Sequence, residues 1–170
     1  MEFIAVKIHI IMFFEHLQTG ARYISTLLSN QISSVMNYKI IDIEGVGDSY
    51  ATKLIDAGIT TVDELLKTGA TAKGRDALAE KTGISSKLIL KWVNHADLFR
   101  IQGVGPQFAE LLEASGVDTV KELRHRRADN LAAKVEEVNE AKHLCHRVPS
   151  EKEIERMIAQ ATELPPVVTY

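Results

Sequence analysis

The chain has 170 residues, 45% hydrophobic, 25% charged and 6% aromatic, with a net charge of −3. That length buries a core as one domain or two small ones in an ordinary soluble balance, and the acidic sign argues against a basic nucleic-acid coat protein. A lone cysteine, Cys145, rules out an intramolecular disulfide framework and fits a reducing, cytoplasmic setting.

The first 35 residues stand apart from the rest. Residues 3–14 are apolar but broken by Lys7 and His9, and Glu15 and His16 follow at once. The run is too short and too interrupted to span a membrane. It also lacks the basic n-region and clean cleavage site of a signal peptide. Met36 directly precedes Asn37-Tyr38-Lys39-Ile40, so residues 1–35 read first as a non-native upstream extension. The second reading is an amphipathic helix docked on the core.

Beyond Met36 the pattern is helical throughout. Residues 48–57 read as a helix closed by Gly58. Thr61-Val-Asp-Glu64 is a capping-box sequence that opens a short helix to about Thr68. Residues 72–82 form the next helix, ended by Gly83. Ser85 or Ser86 caps a longer one through Leu98, with Leu88, Val93 and Ala96 facing in and Trp92 packed beside them. Residues 107–115 come next, stopped by Gly116, and Thr119-Val-Lys-Glu122 repeats the capping sequence. Residues 128–138 are helical, and Ser150-Glu-Lys-Glu153 opens the last helix, to about Leu164. No stretch alternates like a strand, so the predicted class is all-α.

Residues 43–65 recur as 101–123 at a constant offset of 58. Gly45, Val46, Gly47, Ala51, Leu54, Gly58, Thr61, Val62, Glu64 and Leu65 reappear as Gly103, Val104, Gly105, Ala109, Leu112, Gly116, Thr119, Val120, Glu122 and Leu123. Self-similarity at a fixed spacing marks duplicated supersecondary units. Farther on the offset becomes 65, with the insertion around residues 139–147, so the second copy is expected to carry a longer loop or a helix extension there. The predicted organisation is an extension at 1–35, repeats at 36–98 and 99–164, each with its own small helical bundle, and an extended Pro-containing tail at 165–170.

Each Gly-Val-Gly makes a tight turn, with the valine anchored in the core and a helix beginning just after. Backbone N–H groups at such a helix start are unsatisfied, and together they make an anion site. This pattern resembles the helix-hairpin-helix motif. Residues 36–170 as a whole resemble an uncharacterised domain-of-unknown-function family of small two-repeat helix-hairpin-helix proteins. The resemblance implies that hairpin amides hold a phosphate of the DNA backbone without reading sequence. It points to Gly45, Val46 and Gly47, and to Gly103, Val104 and Gly105.

Charge separates the two turns. The first is flanked by Glu44 and Asp48, with Lys53 on the following helix and Asp48 expected to cap that helix. The second is flanked by Arg100, Gln102 and Gln107, with Pro106 suited to the first helical position. Lys121, Arg124, His125, Arg126 and Arg127 form the densest basic stretch. That stretch reads either as a phosphate track or as a solvated helix end.

No catalytic constellation is visible. Neither Gly-x-Gly is followed by the Lys-Ser/Thr of a phosphate-binding loop. The two-metal carboxylate cluster of helix-hairpin-helix nucleases has no α/β core to sit in. His143, Cys145 and His146 lack a second ligand pair at zinc spacing, so neither metal nor cofactor is expected. Two functions remain. The first is a non-catalytic, sequence-independent nucleic-acid module, duplex DNA first and RNA second, using the six turn residues with Lys53, Arg100, Gln107, Lys121 and Arg124. The alternative is a protein-interaction scaffold that keeps the fold without a phosphate site. No membrane partner is expected.

Overall fold

Most helices of this chain begin at a residue able to leave helical geometry or to hold the first free amide. The computed structural model describes residues 38–170. They form helices joined by short turns, with no β-strand among the described residues and one isolated antiparallel bridge between Lys39 and Thr61. After a 3-10 turn at Ile40–Asp42 come α1 (Asp48–Asp56), α2 (Val62–Gly69), α3 (Ala72–Thr82) and α4 (Ser86–Leu98). These are followed by α5 (Pro106–Ala114), α6 (Val120–Leu123), α7 (Ala128–Lys142) and α8 (Glu151–Glu163). The all-α class holds. The readings of residues 1–35 lie outside the described residues.

The caps follow the sequence closely. Thr61 Oγ1 accepts from Glu64 N–H at 3.2 Å, and Glu64 Oε2 accepts in return from Thr61 N–H at 3.0 Å. That reciprocal pair satisfies two of the helix's orphan donors. Ser150 and Glu153 do the same for α8, and Ser85, rather than Ser86, caps α4. α1 and α5 close in the same way: Ile59 N–H reaches back to Leu54 O at 2.8 Å and Val117 N–H to Leu112 O at 2.9 Å. This six-residue return past a left-handed glycine stops each helix.

Three expectations change. Asp48 does not cap α1; Gly47 takes that position and Asp48 is the first helical residue, where its charge suits the positive end of the helix. The capping box at 119–122 is only half formed. Thr119 accepts from Glu122 N–H, but the Glu122 carboxylate turns to Asp118 N–H at 2.9 Å. The helix predicted to end at Val138 runs on to Lys142 and stops at His143, which has φ 54°. Asn139 braces that stop, bonding both the N–H and the carbonyl of Cys145.

The core is shared rather than divided between two bundles. Residues 92–99 of α4 and its end are buried without a break, including Trp92, Val93, Ala96, Leu98 and Phe99. A helix apolar on only one face leaves its other side to solvent, whereas the second half of α4, from Trp92 on, is enclosed on all sides. It packs on α2 and α3, which precede it, and on α5, which follows it. One continuous cluster therefore runs from Ile40 to Val168, and the described residues form one compact unit. α6 and α7 close the far side against α8.

Candidate functional site

Both Gly-Val-Gly turns adopt the same backbone. Val46 N–H donates to Ile43 O at 2.9 Å, and Val104 N–H to Ile101 O at 3.1 Å. Gly45 and Gly103 sit at φ 84° and 93°, a region that a side chain makes costly. Val46 and Val104 are buried at 4% and 3% exposure, as the core-anchor reading expects, and offer only their backbone to a ligand. Gly47 and Gly105 then cap nine-residue helices with extended backbone. The N–H groups of Gly45, Gly47, Gly103 and Gly105 have no acceptor among the described residues.

The surroundings of the two turns differ. Trp92 lies beneath the first: its Nε1 is 3.7 Å from where a Cβ on Gly45 would stand. The Trp92 ring meets Tyr50 edge-on, with centroids 5.2 Å apart. This is the core role expected for Trp92. The second turn is backed by α8. Gln160 Oε1 accepts from Gln102 N–H at 3.0 Å, and Met157 Cε is 3.5 Å from a Cβ on Gly103.

Tertiary packing brings the turns to one surface cleft. Glu44 of the first turn lines it together with Gly105, Pro106, Gln107 and Phe108 of the second. Cys145, His146 and Arg147 complete the wall of a cleft of about 540 Å³. Arg147 is ion-paired with Glu153 at 2.8 Å, and that pair holds the Glu153 carboxyl at about 2. Burial, helped by Glu110, pushes the Cys145 thiol up, so it stays protonated and a weak nucleophile at neutral pH. Among the described residues no three His, Cys, Asp or Glu side chains converge as metal ligands, and no helix is long and apolar enough to cross a membrane.

The basic residues singled out from sequence go to different places. Gln107 is exposed on the cleft, while Lys53 and Lys121 are exposed on α1 and α6. Arg100 and Arg124 are not presented to a ligand. Arg100 Nη1 pairs with buried Asp97 at 2.6 Å, and its Nη2 donates to Pro165 O at 2.9 Å. Arg124 Nη2 donates to Leu164 O at 2.7 Å. Of the neighbouring cations, Arg126 bonds Gly116 O at 2.6 Å and Arg127 pairs with Asp129. The sequence reading missed Asp97 and Arg75, both fully inside, and Arg147 on the cleft. The i,i+3 spacing of Asp97 and Arg100 was the available signal for the first.

Residues 44–164 match the family described as Domain of unknown function (DUF4332). The chain belongs to that family. No curated protein and no solved structure matches it.

Proposed function

We propose that this chain is a non-catalytic, cytoplasmic module that holds the sugar-phosphate backbone of nucleic acid, duplex DNA first and RNA second. Each Gly-Val-Gly turn with its flanking helices is read as one helix-hairpin-helix unit. One observation carries the reading: two turns of the same geometry each present glycine N–H groups, without acceptors among the described residues, at the start of a nine-residue helix. Amides so placed suit a phosphate oxygen, and backbone contacts position a protein on nucleic acid without specifying sequence. The contributing groups are the amides of Gly45 and Gly47 and of Gly103 and Gly105. Gln107, Lys53 and Lys121 supply side-chain support.

A second reading, a protein-interaction scaffold, is favoured by one specific observation. Arg100, Arg124, Arg126 and Arg127 all bond acceptors within the protein, while Glu44 shares the cleft with Gly105. Fluorescence anisotropy of a labelled duplex, titrated with the full chain at low and then moderate salt, separates the two. The nucleic-acid reading expects binding in the micromolar range, about 10⁻⁴–10⁻⁶ M, that collapses as salt rises. Gln107→Glu and Lys121→Glu should each weaken it severalfold. No binding at low salt overturns the reading and leaves the scaffold.

A further inference from the structure

Three arginines from separate parts of the fold converge on one extended segment, residues 164–170. Arg124 Nη2 reaches Leu164 O at 2.7 Å, Arg100 Nη2 reaches Pro165 O at 2.9 Å and Arg75 Nη2 reaches Thr169 O at 2.8 Å. Every acceptor is a neutral backbone carbonyl. Pro165 and Pro166 carry no N–H, so this stretch offers acceptors and no donors there. Besides these bonds, Val168 is buried, Leu164 and Val167 are partly buried against the core, and Thr169 N–H bonds Ala70 O at 2.8 Å. Residues 165–170 have no helix or strand of their own, and such segments open locally more readily than core helices.

The arginines are also incompletely matched. Arg124 Nε is buried with no acceptor among the described residues. Arg100 pairs with Asp97 through Nη1 alone, so only its Nη2 depends on the segment. Arg100 stands beside the second turn, and Arg124 bonds the carbonyl next to the one that Arg100 bonds. Arg100 is three residues before Gly103, and Gln102 is tied to Gln160, one helical turn before Leu164.

We infer that residues 164–170 are an autoinhibitory strap. The strap occupies Nη2 of Arg100, beside the Gly103–Gly105 turn, and of Arg124, and it yields them to phosphate oxygens of a nucleic-acid backbone when it lifts. The inference rests on the nucleic-acid reading above. A phosphate oxygen adds charge–charge attraction and bidentate geometry that a neutral carbonyl lacks, so a phosphate competes with the strap for the same donors.

The test compares the full chain with a chain lacking residues 164–170, each binding a labelled duplex across a salt series. Two freed arginines should make the shortened chain bind about tenfold tighter at 0.1 M salt and steepen its log K against log salt slope by about 1.8. Arg124→Gln in the shortened chain should remove about half of the added slope. Val168→Asp in the full chain lifts the strap without shortening it and should reproduce the gain. If both folded chains bind equally, with equal slopes, the strap is overturned and the nucleic-acid reading stands. If neither binds at low salt, that reading fails and the strap falls with it. Loss of cooperative unfolding in both the deletion and Val168→Asp makes the segment plain architecture, which also overturns the strap.

Discussion

Val62 and Val120 hold the same place in the two similar sequence stretches, 43–65 and 101–123, one residue after a capping threonine, yet their N–H groups find different acceptors. Val62 donates to Tyr38 O at 3.1 Å, while Val120 donates to Asp97 Oδ2 at 2.8 Å. The difference lies in what precedes each turn. Extended backbone leads into the first: Lys39 bridges Thr61 and Ile40 N–H bonds Thr60 O, so a main-chain carbonyl is on hand. Helix α4 leads into the second, and its carbonyls accept within the helix, so a buried side-chain carboxylate takes over. That carboxylate needs a counter-charge, and Arg100 supplies it. The shared Thr-Val-x-Glu-Leu sequence thus acquires a buried ion pair at one place and none at the corresponding place.

The largest effect should come from breaking that substitute. Asp97→Ala strands Arg100, whose side chain is 9% exposed, and leaves Val120 N–H without its acceptor. Removing one partner of a buried pair costs about 3–5 kcal/mol, measurable by urea unfolding. A loss under 1 kcal/mol would mean that the second stretch does not depend on this carboxylate. Next is Gly69→Ala. Gly69 ends α2, whereas the corresponding Arg127 is exposed. A Cβ on Gly69 would collide with Val93 Cγ2. Val93 is buried and stiff, so overpacking of about 1–3 kcal/mol follows.

The turns themselves should behave alike. Gly45→Ala and Gly103→Ala each meet only ordinary contacts, at 3.7 and 3.5 Å, so the penalty is the left-handed backbone, about 1–2 kcal/mol for each. A clear inequality in thermal unfolding would show that Trp92 or Met157 constrains its turn beyond contact distance. The smallest effect concerns the capping glutamates. Glu64 accepts first from Thr60 N–H, then from the Thr60 hydroxyl and Thr61 N–H, and these hold its carboxyl at about 2. Because the folded value lies below the ordinary glutamate value of 4.5, its contribution is complete above that value and fades as pH falls toward 2. Carboxyl NMR should find the Glu64 midpoint near 2, and Glu64→Gln should flatten the acid limb of stability. A midpoint near 4.5 would dissolve the reciprocal cap.

What the residues declared by themselves was local: the helix starts at Thr61, Ser85 and Ser150, the stops at Gly58, Gly83 and Gly116, and the paired turns. Each is decided within about six residues, where a hydroxyl, a carboxylate or a missing Cβ meets the nearest amides. The all-α class follows from them. Tertiary structure decided the rest. Arg100 and Arg124 look like cations beside a turn, but their acceptors lie 65 and 40 residues away. Glu44 and Gly105 share a cleft across 61 positions because both stretches pack on a buried α4. Local spacing says which groups a residue carries, and only the packed core says which distant carbonyl or carboxylate stands within three ångströms of them.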